Sequence, residues 1–231
     1  MEPPRSSTIA DLASFVCLQK GGHPTRVAID GMTASGKSTV ARELADAVVE
    51  HGRHAVHLTM DGYHQPRDDR YRRGKLSAEG YYEDAYDFAA FVENVLLPLG
   101  PDGDRRIRTR IIDLPSNASI DEPPVVVPVG SVVIVDGTFL QRPEIAGHWD
   151  CRVFVNTSFD DALARGIARD ASALGGEANA ELVYQSRYHA AARLYIDAIR
   201  PAERATVVVD NDDLDHPRLR FAADQRSHPA L

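Results

Sequence analysis

The chain reads as an α/β protein, a three-layer sandwich of helices around a mostly parallel central sheet. Three observations predict it. The apolar runs at 26–30, 131–137, 151–155 and 205–210 are hydrophobic without alternation, the pattern of strands covered on both faces. Helical periodicities separate them, over 37–50, 158–170 and 180–199. The length, 231 residues with 43% apolar side chains, suits one domain with a real core, spanning 1–231.

Taken in order, Ile9, Leu12, Ala13, Val16 and Cys17 recur at helical spacing behind candidate caps Ser7 and Thr8, predicting a short helix in an N-terminal extension, 1–24. Strand 26–30 follows. Val40, Leu44, Ala47 and Val48 share one face of the helix 37–50, and Gly52 ends it. Residues 54–61 read as a second strand ending in Asp61, after which 62–87 is polar and aromatic, a long loop or small insertion. Phe88, Phe91, Val92, Val95 and Leu96 define another helix, closed by turn-rich 98–104. Segments 105–114 and 123–130 read as strands of an excursion, 158–185 as a flap, and the last helix stops before Pro201.

A net charge of -8 argues against nonspecific attraction to nucleic acid or an anionic bilayer, so an anionic ligand must be held locally. Cys17 and Cys151 lack metal-type spacing and read as buried free thiols. No apolar run approaches the ~18 residues of a membrane span, and the start lacks a secretory pattern, so a cytoplasmic protein is expected.

Gly31-Met32-Thr33-Ala34-Ser35-Gly36-Lys37-Ser38 satisfies the pattern G-x-x-x-x-G-K-[ST] between a predicted strand and a predicted helix. Such a loop turns successive amides inward, here Ser35 through Thr39, and the helix dipole adds positive potential at the same end. It therefore predicts a nucleoside triphosphate ligand, with Gly31, Thr33, Ala34, Ser35, Gly36, Lys37, Ser38 and Thr39 around the phosphates. Lys37 neutralises β- and γ-phosphate oxygens, and the Ser38 hydroxyl ligates magnesium. Asp136 ends a buried strand, where it is either a metal partner or a turn former; the loop upstream favours the metal. Asp61, before Gly62, is open to three readings: general base for an attacking hydroxyl, second magnesium carboxylate, or turn aspartate.

Several separated segments, "DGMTASGKST", "MDGYH", "VVIVDGTFL", "DDALARGIARD" and "RYHAAARLYIDAIRPAERATVVVDN", together resemble the uridine kinase-like branch of the P-loop kinases, which includes phosphoribulokinase and pantothenate kinase. The resemblance covers about residues 25–212. It implies a P-loop NTPase fold, ATP and Mg2+, Asp61 as the hydroxyl-activating residue, and a lid over 158–185 whose Arg165 and Arg169 close on the ATP phosphates, Arg169 at the catalytic centre. Two departures bear on the acceptor. Gly166, Leu174, Gly175 and Gly176 stand where uridine kinases carry further basic lid residues, and "GYYEDAYD" replaces the Phe-Asp-His-Pro segment that holds a nucleoside ribose.

Within the insertion, taken as acceptor-binding, Tyr63, His64, Tyr81 and Tyr82 either stack on an acceptor or pack the loop, and Asp84 is expected to grip vicinal hydroxyls. Arg67, Arg70, Arg72, Arg73 and Lys75 either bind an anionic acceptor group or form a solvated charge run balanced by Asp68 and Asp69, the preferred reading. Arg108 and Arg110 project from one strand face, with Asp113 at its end; Arg110 is placed in the acceptor pocket, with an exposed sheet face as the alternative. His189 reads as a packed histidine. The expected function is ATP- and Mg-dependent transfer of the γ-phosphoryl group to a nucleoside hydroxyl. The alternatives are a pantothenate-like or sugar-phosphate acceptor, and a nucleotide-gated regulator, against which the absence of an Asn-Lys-x-Asp segment and the aromatic insertion both count. Expected partners are a small-molecule acceptor and a nucleoside triphosphate, without nucleic acid or membrane; homo-oligomerisation is left open.

Overall fold

The computed structural model describes residues 3–19 and 21–222. Residues 1, 2 and 20 of the expected extension, and 223–231, lie outside the described residues. The helices are α1 (Arg5–Leu18), α2 (Lys37–Glu50), α3 (Arg67–Arg70), α4 (Ala78–Asp84), α5 (Phe88–Phe91), α6 (Pro143–Ala146), α7 (Phe159–Leu174), α8 (Glu177–Val183), α9 (Ala190–Ile199) and α10 (Pro201–Arg204). Wider π turns prolong α5 through Val92–Leu96 and join α8 to α9 through Tyr184–His189. The strands are β1 (Thr25–Asp30), β2 (Ala55–Thr59), β3 (Arg106–Ile107), β4 (Ile112–Asp113), β5 (Ala118–Ser119), β6 (Val125–Val126), β7 (Val132–Gly137), β8 (Cys151–Asn156), β9 (Val207–Asp210) and β10 (Arg218–Phe221).

The main sheet runs β10-β9-β8-β1-β7-β2, parallel throughout except for β10. Alternation along its strands feeds two cores. Val27, Ile29, Ile134 and Val153 meet Leu12 and Val16 of α1 and Val40, Leu44 and Val48 of α2. Ala28, Val133 and Val135 share a second core with Phe91, Val95 and Leu96 and with Tyr195 and Ile199 of α9. The expected three-layer sandwich is therefore present. Parallel register sets Asp136 of β7 opposite both Ile29 of β1 and Thr59 of β2, so the ends of these three strands, each followed by a loop, share one edge of the sheet.

The structure departs from expectation in five places. The excursion strands shrink to two-residue ribbons, β3 with β6 and β4 with β5. Strand β2 stops at Thr59, and Asp61 sits in a 3-10 turn, Met60–Tyr63. The first helix of the flap runs on to Leu174, where Gly175 ends it in the left-handed conformation at φ 83. An antiparallel edge strand, β10, was not anticipated. Thr8 and Ser7 do not cap α1; Thr8 is buried and donates its hydroxyl to the Pro217 carbonyl at 2.9 Å. Both thiols are free, Cys151 buried and Cys17 partly so.

Candidate active site

The glycine loop is pressed against β8 and the end of β9. A Cβ on Gly31 would lie 2.8 Å from the Val155 carbonyl oxygen, and one on Gly36, whose φ is 92, would lie 2.5 Å from Asn211 Nδ2. The Ser35 carbonyl accepts from Asn211 Nδ2 at 2.7 Å and from Thr157 Oγ1 at 3.1 Å, and Asn211 Oδ1 in turn accepts from Arg5 of α1 at 3.1 Å. Thus the loop's shape is imposed by buried side chains from beyond it. Ala34 is left-handed at φ 65, a conformation non-glycine residues adopt at some cost. Of the amides Ser35 through Thr39, the two outermost are spent inside the loop, Ser35 on the Met32 carbonyl and Thr39 on the Gly36 carbonyl. Helix α2 begins at Lys37, so the amides between them belong to its unpaired first turn.

Lys37 Nζ donates to the Met32 carbonyl at 3.2 Å. Burial pushes its pKa down, Asp136 and Asp61 pull it back up, and Arg169 lowers it again. Ser38 Oγ lies 2.5 Å from Asp136 Oδ2, and His57 Nε2 is 2.7 Å from Asp136 Oδ1. Burial acts to raise the Asp136 pKa, but the hydrogen bonds from His57 and Ser38 and the charge of Lys37 prevail and hold the carboxyl below its ordinary value. A hydroxyl and an ionised carboxylate at the foot of a phosphate loop are the hard oxygen donors that magnesium takes, so Ser38 and Asp136 fit the ion. His57 was missed from sequence. Its signal was a polar residue two before Thr59, on the same face of β2, in the strand that neighbours β7.

A cleft of about 300 Å³ is lined by Thr33, Ala34, Lys37, Ser38, Thr59, Asp61, His64, Asp136 and Arg169, among others. The Asp61 side chain is 63% exposed, its backbone amide held by Thr59 Oγ1 at 3.3 Å, and its carbonyl accepts from His64 Nδ1 at 3.3 Å. A second recess, about 380 Å³, lies on the α1 and β9 side and includes Arg5, Ala34, Gly36, Thr39, Arg165, Arg169 and Asn211. Ala34 and Arg169 border both. Arg165 donates to the carbonyls of Asn211 at 3.0 Å and Asp212 at 2.7 Å. Arg169 forms a two-pronged bond to Asp170, at 2.8 and 2.9 Å, and also donates to the Tyr184 hydroxyl at 3.1 Å. The Asp170 bond is the main reason its pKa rises.

Four residues expected in the acceptor pocket lie outside the cleft lining. Tyr63 is fully buried, edge-on to Phe91, with its hydroxyl donating to the Arg108 carbonyl at 2.7 Å. Tyr82 packs on Phe139 and under the Arg142 guanidinium, and Tyr81, one position earlier on α4, faces the cleft instead. Asp84 is buried and paired with Arg72 and Arg73, which leaves no carboxylate there for a ribose. Arg110 turns outward to Glu122 at 2.5 Å, the exposed-face alternative. The charge run is also not balanced as expected: Arg72 and Arg73 reach Asp84, while Arg70 folds into the cleft wall. His189 packs edge-on to Phe159 and Tyr184, in line with the packed reading.

The sheet order, the glycine loop leading into α2, and the acid at the end of β7 define a P-loop kinase fold. The family is narrower still: the model of the Phosphoribulokinase / Uridine kinase family matches residues 27–211, and the chain belongs to that family. Among curated relatives, a uridine kinase of Leuconostoc citreum is 29% identical over 151 residues, covering 65% of this chain and 70% of its own. Uridine-cytidine kinase B of Dictyostelium discoideum is 29% identical over 156 residues, covering 66% of this chain and 61% of its own. A solved structure described as a possible uridine kinase from Bacillus stearothermophilus superposes with a TM-score of 0.69 at 20% identity, covering 88% of this chain and 98% of that one. Among the described residues, no helix is long and apolar enough to cross a membrane.

Proposed function

We propose that the protein transfers the γ-phosphoryl group of ATP, with magnesium, to a hydroxyl of a small acceptor. The observation that carries this is the meeting of Lys37, the Ser38–Asp136 pair and Asp61 in one cleft. Lys37 and the first-turn amides of α2 hold the β- and γ-phosphates, and the second recess receives the rest of the nucleotide. Magnesium bound by Ser38 and Asp136 supplies charge neutralisation at the phosphate oxygens. Asp61 takes the proton of the acceptor hydroxyl as its oxygen bonds to the γ-phosphorus and the bond to the β-γ bridging oxygen breaks, releasing ADP. Arg169, once released from Asp170, adds positive charge over the transferring group, and Arg165 steadies the nucleotide edge.

The names of the curated relatives make a nucleoside the first acceptor to test, and the replaced segment at 80–87 makes a pantothenate-like or sugar-phosphate acceptor the second. ADP release is measured against both classes. Asp61→Asn is expected to lower kcat by about 10²- to 10⁴-fold with ATP affinity kept; a folded Asp61→Asn enzyme with full turnover refutes the assignment.

A further inference from the structure

Two guanidinium groups in the cleft wall have no task in the reaction just described. Arg70 of α3 is 5% exposed and Arg187 of the π turn 4%, yet both line the cleft. Arginine is seldom buried to this degree without a carboxylate. Among the described residues neither has one: Asp84 is taken by Arg72 and Arg73, Glu83 and Glu144 by Arg142, and Asp61 approaches His64 rather than either arginine. Instead, each leans on neutral oxygens through Nη1 alone. Arg70 donates to the Gln65 carbonyl at 3.0 Å and to Asn117 Oδ1 at 3.4 Å, Arg187 to the carbonyls of Lys75 at 3.1 Å and Ser77 at 3.3 Å. Among the described residues, the Nε and Nη2 groups of both are left without an acceptor.

A shared ring fixes the pair. The Tyr71 ring centroid is 5.3 Å from the Arg70 guanidinium carbon and 4.9 Å from that of Arg187, and Arg187 also lies 4.9 Å from the Tyr81 ring. Aromatic contact and Nη1 bonds hold each guanidinium while leaving unpaired the Nε–Nη2 edge, the fork that matches two oxygens of a phosphate or carboxylate. Both charges are felt in the cleft: they reinforce the burial that pushes the His64 pKa down.

We infer that Arg70 and Arg187, carried on Tyr71, form an oxyanion subsite, and that the acceptor is an alcohol bearing its own phosphate or carboxylate group rather than a neutral nucleoside. The inference rests on reading this cleft as the acceptor site of a kinase. An anionic group held here anchors the acceptor through charge, leaving its hydroxyl to Asp61.

Two measurements test it. In the first, inorganic phosphate is titrated calorimetrically into protein saturated with magnesium and a non-hydrolysable ATP analogue, so that the glycine loop is already filled. One further phosphate site is expected, weakened about tenfold or more in Arg187→Gln and in Arg70→Gln. Unchanged affinity for the analogue establishes that each variant is folded. No phosphate site, or one indifferent to both substitutions, overturns the inference. If the analogue does not bind, the kinase reading fails by itself, and the same titration into Lys37→Ala, whose loop is disabled, decides the arginine site alone. In the second, ADP formation is compared for ribose 5-phosphate against ribose, pantothenate against panthenol, and uridine and cytidine. Turnover confined to the charged members, with KM raised about tenfold or more by Arg187→Gln, supports the subsite and distinguishes phosphate from carboxylate. Uridine or cytidine turned over better than every charged alcohol, and equally well by Arg187→Gln, overturns it.

Discussion

Replacing Asp30 with alanine tests how the glycine loop is held from beneath. Asp30 ends β1, is wholly buried, and accepts from four donors: Gly31 N at 2.9 Å, Leu140 N at 3.3 Å, Gln141 Nε2 at 3.1 Å and Tyr195 Oη at 2.5 Å. Each hydrogen bond to a charged group contributes about 1.5–3 kcal/mol. The sum overstates the effect, because burial itself pushes the Asp30 pKa up against these donors, the mark of an incompletely repaid desolvation. A net loss of about 3–4 kcal/mol is therefore expected for Asp30→Ala, with four buried donors left behind, and about 1–2 kcal/mol for Asp30→Asn, which keeps the shape and one acceptor oxygen. At about 2–4 °C per kcal/mol for a chain of this size, the alanine variant should melt roughly 6–16 °C lower. Urea denaturation followed by circular dichroism measures the loss, and a double-mutant cycle with Tyr195→Phe should return a coupling of about 1–3 kcal/mol. An alanine variant within about 1 kcal/mol of the parent, or a coupling near zero, would falsify the buttress.

Two further perturbations probe the same machinery. His57→Leu removes the donor on Asp136 Oδ1, so the magnesium needed for half-maximal nucleotide binding or turnover should rise about 10- to 100-fold while metal-free nucleotide affinity stays constant; an unaltered magnesium titration rejects the role. Burial, with Arg193 adding to it, holds the His189 pKa below 6.5, so below that pH the unfolded chain takes up the proton first and stability is lost as pH falls. The drop in Tm between about pH 7.5 and about pH 5.5 should be smaller in His189→Leu, which cannot titrate; an equal drop counts against it.

What could be read in advance was whatever sits in a contiguous, periodic stretch. The loop from Gly31 to Ser38 and Asp136 at the end of β7 lie where a strand hands over to the next segment, and strand direction alone brings them to one edge. The acceptor side has no such periodicity. Residues 62–87 form short helices and turns, so whether Tyr81 or Tyr82 faces the cleft depends on one step along α4, and Tyr63 and Asp84 are claimed by partners the linear order hides. Arg187 meets carbonyls more than a hundred residues away, and Asn211 grips the loop from beyond β9. Such contacts arise from packing between elements, for which local spacing carries no signal.

The π turn at Tyr184–His189 sets the rotational phase of the long helix it interrupts. A π turn takes in one residue more than an α turn, so everything after it is swung by about 100° around the helix axis relative to an unbroken helix. Arg187 lies within the turn and meets the Tyr71 ring, and Tyr195, two turns on and past the offset, reaches Asp30 beneath the loop. Wound as an unbroken α-helix, the same sequence would carry Tyr195 about 100° away from Asp30, so the rod acts as a spacer whose fault is its gauge.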